Sequence, residues 1–172
     1  GLISSYNKPD DESAANLKDL VANNLNIKYW WLDLKNLNGS NAGKISREIE
    51  NLSSIYQENI FLVESHNFLG LWFLNTNSES VYKVYWLAKS SKKNNKFQWN
   101  TPIYYLRSIL ANIIINPEFV SMFHYQVSNL DFLWVGNRQR FAFTINSLKE
   151  YENTSNMGVY VILTDKKLQI SK

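Results

Sequence analysis

Arg138 and Arg140 are the two residues whose type and spacing most clearly suggest a binding chemistry. Residues two apart in a strand lie on the same face, and a guanidinium fork matches the geometry of a carboxylate or phosphate. Beside aromatic side chains, this pair could clamp an anion. The alternative is an exposed strand face on which both arginines pair with nearby acids, an arrangement that contributes little.

Aromatic side chains are the unusual part of the composition, at 15% of the chain with six tryptophans and ten tyrosines. Most are expected in the core, because aromatic residues dominate core burial. In the segment 81–86 (VYKVYW), however, Tyr82 and Trp86 would share one strand face while Tyr85 lies on the other. Because both faces carry aromatic residues, at least one of them is a candidate lining for a pocket or an interface.

Recognisable catalytic and metal-binding motifs are missing from the sequence. There is no cysteine, and the only histidines, His66 and His124, stand far apart in the chain. No HExxH motif, acidic calcium loop, G-x-S-x-G elbow or phosphate-binding glycine loop occurs. We therefore predict no catalytic residue, no metal, no cofactor and no enzymatic activity.

The charge distribution does not indicate nucleic-acid binding. The net charge is +3, and the basic residues cluster only at Lys89, Lys92, Lys93 and Lys96, among serines and asparagines. Such a run usually faces solvent, and a phosphate or anionic membrane contact is the alternative. No apolar run approaches the ~18–20 residues that a membrane span needs.

Two helices are predicted near the start of the chain. An acidic start at residues 9–12 is followed by apolar residues at helical spacing, and residues 45–56 carry a second apolar stripe. Between them, residues 27–34 (IKYWWLDL) fit a short strand and a continued helix equally well. Both interpretations stay open.

Beyond residue 60 the pattern predicts strands and one further helix. Thr101 and Pro102 form a good helix start, because a capping hydroxyl precedes a proline at the first helical position. Gly136 and Asn137 accept the positive φ of a tight hairpin turn. The predicted strands are residues 68–75, 81–88, 130–135, 138–145 and 159–164.

This order predicts an α+β fold, in which N-terminal helices precede a five-stranded antiparallel sheet with a helix inserted between strands two and three. The length of 172 residues predicts a single domain. Its helices would occupy residues 10–58 and its sheet residues 60–172.

The string FLWVGNRQRF, residues 132–141, resembles the central strand–turn–strand of the PAS-like or Cache-like sensor domains of bacterial membrane receptors. The order of elements is similar to that family over nearly the whole chain. The matching pieces are the helices at 10–58, the hairpin at 68–88, the insertion at 101–127, the second hairpin at 130–145 and the last strand at 158–164.

The resemblance implies an extracytoplasmic domain, periplasmic or at the cell surface, that senses a ligand or partner for a signal-transduction receptor such as a two-component histidine kinase. Segments outside this sequence would anchor the protein in the membrane, and the N-terminal helix would form a homodimer. The small-molecule or protein stimulus would bind beneath residues 93–127 or on an outer face. The expected ligand-binding residues are Trp99, Tyr104, Tyr105, Arg107, Trp134, Arg138 and Arg140.

Two other functions compete with this one. A periplasmic assembly component of a type IV secretion or conjugation system would act by protein–protein contact, and it would group its helices ahead of a mostly uninterrupted run of strands. A small enzyme without short motifs would instead need a pocket that contains His124 or a carboxylate pair of shifted acidity.

Overall fold

The computed structural model describes residues 17–75, 77–87, 106, 109–124, 127, 136 and 138–162. It divides into two compact units, residues 1–83 and 84–172. In chain order its elements are α1 (Leu17–Ala22), β1 (Tyr29–Asp33), α2 (Ala42–Ile55), β2 (Ile60–Ser65), α3 (Phe68–Phe73), β3 (Val81–Trp86), a π-helical turn (Ala111–Ile115), β4 (Phe119–Phe123), β5 (Gln139–Phe143), α4 (Leu148–Asn156) and β6 (Val161–Ile162).

The six strands form one sheet, in which their order is the order of the sequence, β1-β2-β3-β4-β5-β6. The pairs β1–β2, β3–β4, β4–β5 and β5–β6 are parallel. Parallel neighbours need a crossover, which is usually helical, and α2 makes it from β1 to β2. A parallel sheet without a reversal of strand order has the topology of (β/α) barrels rather than that of doubly wound sheets.

The predicted five-stranded antiparallel sheet with an inserted helix is therefore wrong. The error begins at residues 60–65 (IFLVES), which form β2 and are buried from Phe61 to Ser65. A strand covered on both faces is a nearly continuous apolar run without alternation. Because this segment lacks the alternation of a half-buried strand, the sequence pattern predicts its first strand only at residues 68–75.

Residues 68–75 contain the helix α3 instead of a strand. The side chain of Asn67 accepts a hydrogen bond from the backbone N–H of Gly70, at 3.0 Å, and so caps the first turn. Gly70, Leu71 and Leu74 are buried, which is a helical spacing rather than a strand spacing. The expected first hairpin is thereby lost, although its second strand exists as β3.

The undecided segment at 27–34 is the strand β1, which pairs with β2 from Tyr29 opposite Ile60 to Asp33 opposite Glu64. Trp30 and Phe61 are buried in the core of the first unit. Alternation of side chains in the two parallel strands places residues 31 and 33 on the same face as residues 62 and 64.

In the second unit, β4 occupies residues that were expected to belong to a helical insertion. Its inner residues Val120, Ser121 and Met122 are buried. The strand β5 falls within the predicted strand 138–145, but it pairs in parallel with β4 and β6. Residues 130–135 and most of the predicted helix from Thr101 lie outside the described residues; the end of that helix is the π-helical turn.

Three aromatic rings meet at the carboxyl ends of the strands in the second unit. Trp86, Phe123 and Phe143 make mutual edge contacts, with ring centroids 4.8–6.0 Å apart. They end β3, β4 and β5 respectively. Aromatic pairs in such edge-to-face geometry add to the stabilisation from burial alone.

Gly70 sits at the closest approach between α3 and the loop that follows β1. A Cβ at this position would lie 2.7 Å from Leu37 Cγ and 2.9 Å from the Leu37 carbonyl group. We expect Gly70→Ala to lower the free energy of unfolding by about 1–3 kcal/mol, because overpacking forces backbone shifts. Urea denaturation measures this change.

Gly43→Ala in α2 is the matched control, because a Cβ there meets nothing within 4 Å. Alanine removes the entropic cost of a helical glycine, so this variant should gain about 0.5–1 kcal/mol. A Gly70→Ala protein as stable as the wild type would contradict the close packing.

Candidate functional site

An ion pair marks the carboxyl end of β1. Asp33 is the last residue of the strand, and its Oδ2 lies 2.5 Å from Lys35 Nζ. The two side chains are 38% and 43% exposed, respectively, so solvent and solutes can reach both. In parallel β/α proteins, the residues that carry out chemistry sit at this end of the strands.

Two hydrogen bonds from β2 fix the backbone between these two residues. The N–H of Leu34 donates to the carbonyl oxygen of Glu64 at 2.8 Å. The hydroxyl of Ser65 donates to the carbonyl oxygen of Leu34 at 3.0 Å and accepts from the N–H of Asn67 at 3.2 Å. The peptide groups on both sides of Leu34 are thus held against the neighbouring strand.

Glu64 is a buried carboxylate on the face that also carries Asp33. It is 4% exposed, and its Oε2 accepts a hydrogen bond of 2.8 Å from the indole N–H of Trp31. Trp31 is itself buried. A buried polar group is costly unless it is hydrogen-bonded, so the indole N–H satisfies one acceptor of the buried Glu64 side chain.

A second group of polar residues lies in the second unit, at the carboxyl ends of β4 and β5. His124 Nε2 is 3.4 Å from Glu150 Oε1. The other carboxylate oxygen accepts from the backbone N–H of Asn146 at 3.0 Å and of Ser147 at 3.1 Å. Ser147 and Glu150 thereby form a capping box at the start of α4.

These contacts lower the pKa of Glu150. The largest cause is the backbone hydrogen bond from Asn146; partial desolvation opposes it, and the Ser147 hydrogen bonds and nearby His124 add to the lowering. Hydrogen bonds to the ionised form favour that form. The cluster therefore holds a carboxylate in its charged state, as helix starts commonly do.

Of the seven predicted ligand-binding residues, the structure describes two. Arg140 is 2% exposed and donates to the carbonyl oxygens of Met157, at 2.5 Å, and of Gly158, at 3.5 Å. Arg138 donates to Asn116 Oδ1. Their role as ligand-binding residues stays a prediction, as does that of Trp99, Tyr104, Tyr105, Arg107 and Trp134, which lie outside the described residues.

Sequence reasoning missed Asp33, Lys35 and Glu64. The signal that could have identified them is a charged residue directly at the carboxyl end of a short apolar run, as in residues 29–35 (YWWLDLK) and 60–66 (IFLVESH). That signal is useful only once the runs are known to be parallel strands, since their carboxyl ends then lie at one edge.

Within the described part of the chain, no three or more His, Cys, Asp or Glu side chains stand close enough to hold a metal ion. Over the same residues, no helix combines the length and apolar character that crossing a membrane requires.

No protein-family model matches the sequence, and comparison with curated proteins gives no match. Solved structures do resemble it. One is a phosphodiesterase from Oleispira antarctica in complex with the product sn-glycerol-3-phosphate, with 13% identity, a TM-score of 0.56 and coverage of 79% of this chain and 51% of the other. Another is a glycerophosphodiester phosphodiesterase from Parabacteroides distasonis, with 11% identity, a TM-score of 0.56 and coverage of 86% and 57%.

A third similar structure, assigned as a glycerophosphoryl diester phosphodiesterase from Silicibacter pomeroyi, has 12% identity, a TM-score of 0.60 and coverage of 87% of this chain and 52% of the other. The fold of this chain is similar to part of the fold of these phosphodiesterase structures. The chain spans about half the length of these structures.

This fold overturns the resemblance to PAS-like or Cache-like sensors and with it the expected signal-transduction role in a histidine kinase. The type IV secretion component fits no better, because the neighbours are phosphodiesterases. The expectation that the chain is not an enzyme is overturned by the same neighbours. The extracytoplasmic location, the homodimer and the absence of nucleic acid stay predictions.

Trp31→Phe tests the buried hydrogen bond to Glu64. The substitution keeps an aromatic ring but removes the N–H donor to a buried acceptor, so we expect a loss of about 1–3 kcal/mol in the free energy of unfolding. Trp72→Phe, at a tryptophan that is 48% exposed, is the control and should change stability by less than about 0.5 kcal/mol. Equal effects of the two substitutions would contradict a stabilising Trp31–Glu64 bond.

Glu150→Gln tests the charged state of the capping box. Because the pKa of Glu150 is lower in the folded protein, its ionised form stabilises the fold at pH values above the ordinary pKa of 4.5. This contribution disappears as the pH falls through the lower, folded-state pKa. The stability difference between wild type and Glu150→Gln should therefore shrink from about pH 6 to pH 3, measured by urea denaturation.

Glu152→Gln, at an exposed carboxylate of the same helix, is the matched control for that experiment. If the stability of Glu150→Gln depends on pH in the same way as that of Glu152→Gln, the charged capping box does not stabilise the fold.

Proposed function

We propose that this chain supplies part of the active site of a phosphodiesterase that hydrolyses a glycerophosphodiester. The observation that carries the proposal is the exposed Asp33–Lys35 pair at the carboxyl end of a parallel strand. A fold shared with phosphodiesterases supports it, and one of these structures contains the product sn-glycerol-3-phosphate. Because the chain spans about half the length of those proteins, residues beyond this sequence would complete the site.

Lys35 would bind the phosphate group. Its ammonium has three donors, so it can keep its 2.5 Å contact with Asp33 and also reach a non-bridging phosphate oxygen. A positive charge at this oxygen stabilises the negative charge that builds up as the phosphorus is attacked. The ammonium thus contributes to binding and more strongly to the transition state.

Asp33 would act as the general base. Its carboxylate accepts a proton from a water molecule whose oxygen attacks the phosphorus, while the bond from phosphorus to the alcohol oxygen breaks. The proton then passes to the departing alcohol oxygen. One water is consumed, and the products are sn-glycerol-3-phosphate and one alcohol.

Lys35→Met and Asp33→Asn test the proposal in the purified full-length protein. With glycerophosphocholine as substrate, we expect each variant to release sn-glycerol-3-phosphate roughly 10²–10³-fold more slowly than the wild type, as is usual when one group that stabilises the transition state is lost. Lys35→Met should also weaken the binding of sn-glycerol-3-phosphate, measured by isothermal titration calorimetry. The assay is run with Mg²⁺, with Ca²⁺ and with a chelator.

Lys44→Met and Glu48→Gln are matched controls, because they change a second exposed ion pair of the same unit, 3.9 Å apart on α2. Both should leave hydrolysis and binding unchanged. A wild-type full-length protein that neither binds sn-glycerol-3-phosphate nor cleaves the diester contradicts the proposal, and so does a Lys35→Met variant as active as Lys44→Met.

A further inference from the structure

The peptide groups on either side of Leu34 are each fixed by one hydrogen bond from β2. The Leu34 N–H belongs to the peptide group that follows Asp33, and it is bonded to the carbonyl oxygen of Glu64. The Leu34 carbonyl belongs to the peptide group that precedes Lys35, and it accepts the hydroxyl of Ser65. The first bond is ordinary ladder pairing, whereas the second is made by a side chain.

Ser65 connects this backbone to the next helix as well. Its hydroxyl accepts from the N–H of Asn67, whose own side chain accepts from the N–H of Gly70 and so caps α3. Ser65 is 0% exposed, so water does not compete for these bonds. A hydroxyl can donate once and accept at the same time, and an alanine at this position could do neither.

The backbone after Lys35 is held by α3 through a separate contact. A Cβ on Gly70 would lie 2.9 Å from the Leu37 carbonyl group, which shows how closely the helix approaches this loop. Lys35 therefore lies between two fixed points, the carbonyl of Leu34 and the backbone of Leu37. Its side chain is exposed while the backbone that carries it is anchored on both sides.

We propose that Ser65 is a positioning residue for the Asp33–Lys35 pair, acting through the carbonyl oxygen of Leu34. The inference rests on the proposed function, in which the two charged groups must stand at a fixed distance from the same phosphate. Loss of the hydroxyl frees the peptide group before Lys35 to rotate, and misplacement of a reacting group by about 1 Å costs on the order of 10²-fold in rate.

Ser65→Ala is compared with Ser53→Ala to separate positioning from stability. Ser53 is also buried, at 4% exposure, and its hydroxyl donates to the Glu50 carbonyl oxygen at 2.9 Å and contacts the Ser78 hydroxyl. Both variants lose a buried hydroxyl in the same unit. Assays are run well below the unfolding transition of each variant.

We expect Ser65→Ala to lower kcat roughly tenfold or more with a smaller change in KM, because the loss falls mainly on the transition state. Ser53→Ala should keep the wild-type kcat. Ser65→Thr retains a hydroxyl and should recover most of the activity. A Ser65→Ala variant with the kcat of Ser53→Ala would overturn the inference while leaving the proposed function intact.

A second readout does not depend on activity. The ¹⁵N relaxation of the Lys35 ammonium reports how tightly the ion pair is held. It should show faster reorientation in Ser65→Ala than in wild type, Ser53→Ala or Ser65→Thr. Identical relaxation in Ser65→Ala and Ser53→Ala would overturn the positioning role even for a chain that does not cleave the diester.

Discussion

The parallel pairing of β1 with β2 is the constraint on which the rest of the first unit depends. Its register places Asp33 opposite Glu64 at the last paired position. A slip of one residue would turn every side chain of β1 to the opposite face, which would move Trp31 away from Glu64 and Asp33 away from the face it shares with them. The buried Trp31–Glu64 hydrogen bond resists such a slip, because a displaced register would leave the buried carboxyl group of Glu64 without this donor.

The polar groups at the end of this pairing divide into buried and exposed ones. Glu64 and Ser65 are buried and bonded to named partners, whereas Asp33 and Lys35 reach solvent. A charged side chain that reacts with a substrate must be held in a fixed geometry by its buried neighbours. A side chain that has to be ordered each time a substrate binds contributes less to the rate of the reaction. In the second unit, Glu150 shows the same principle in a different role, because its carboxylate is held by backbone donors and orders the start of α4.

The sequence could predict individual elements better than their arrangement. The strand at β3 and the helix at α2 follow from periodicity and were found. Periodicity could not identify the strand β2, because the pattern in residues 60–63 (IFLV) is the same for a buried strand and a buried helix segment. Without β2, the parallel direction of its pairing with β1 could not be predicted either. An asparagine before an apolar segment is a possible helix cap, and Asn67 does cap α3. The apolar string 68–74 (FLGLWFL) also fits a strand, so the sequence predicted a strand there. The Asp33–Lys35 site was out of reach, since its significance depends on the parallel direction of β1.

The position of β1 in the strand order has a further consequence. Within the sheet that the described residues form, β1 has a neighbour on one side only, and an edge strand offers unpaired backbone groups to any extended segment that approaches it. Lys28, which stands over the ring of Tyr29, precedes this strand, and Asp33 and Lys35 close it. Charged residues at both ends of an edge strand discourage the addition of further strands. The charges proposed to act on a phosphodiester would therefore also discourage an extended segment from pairing with β1.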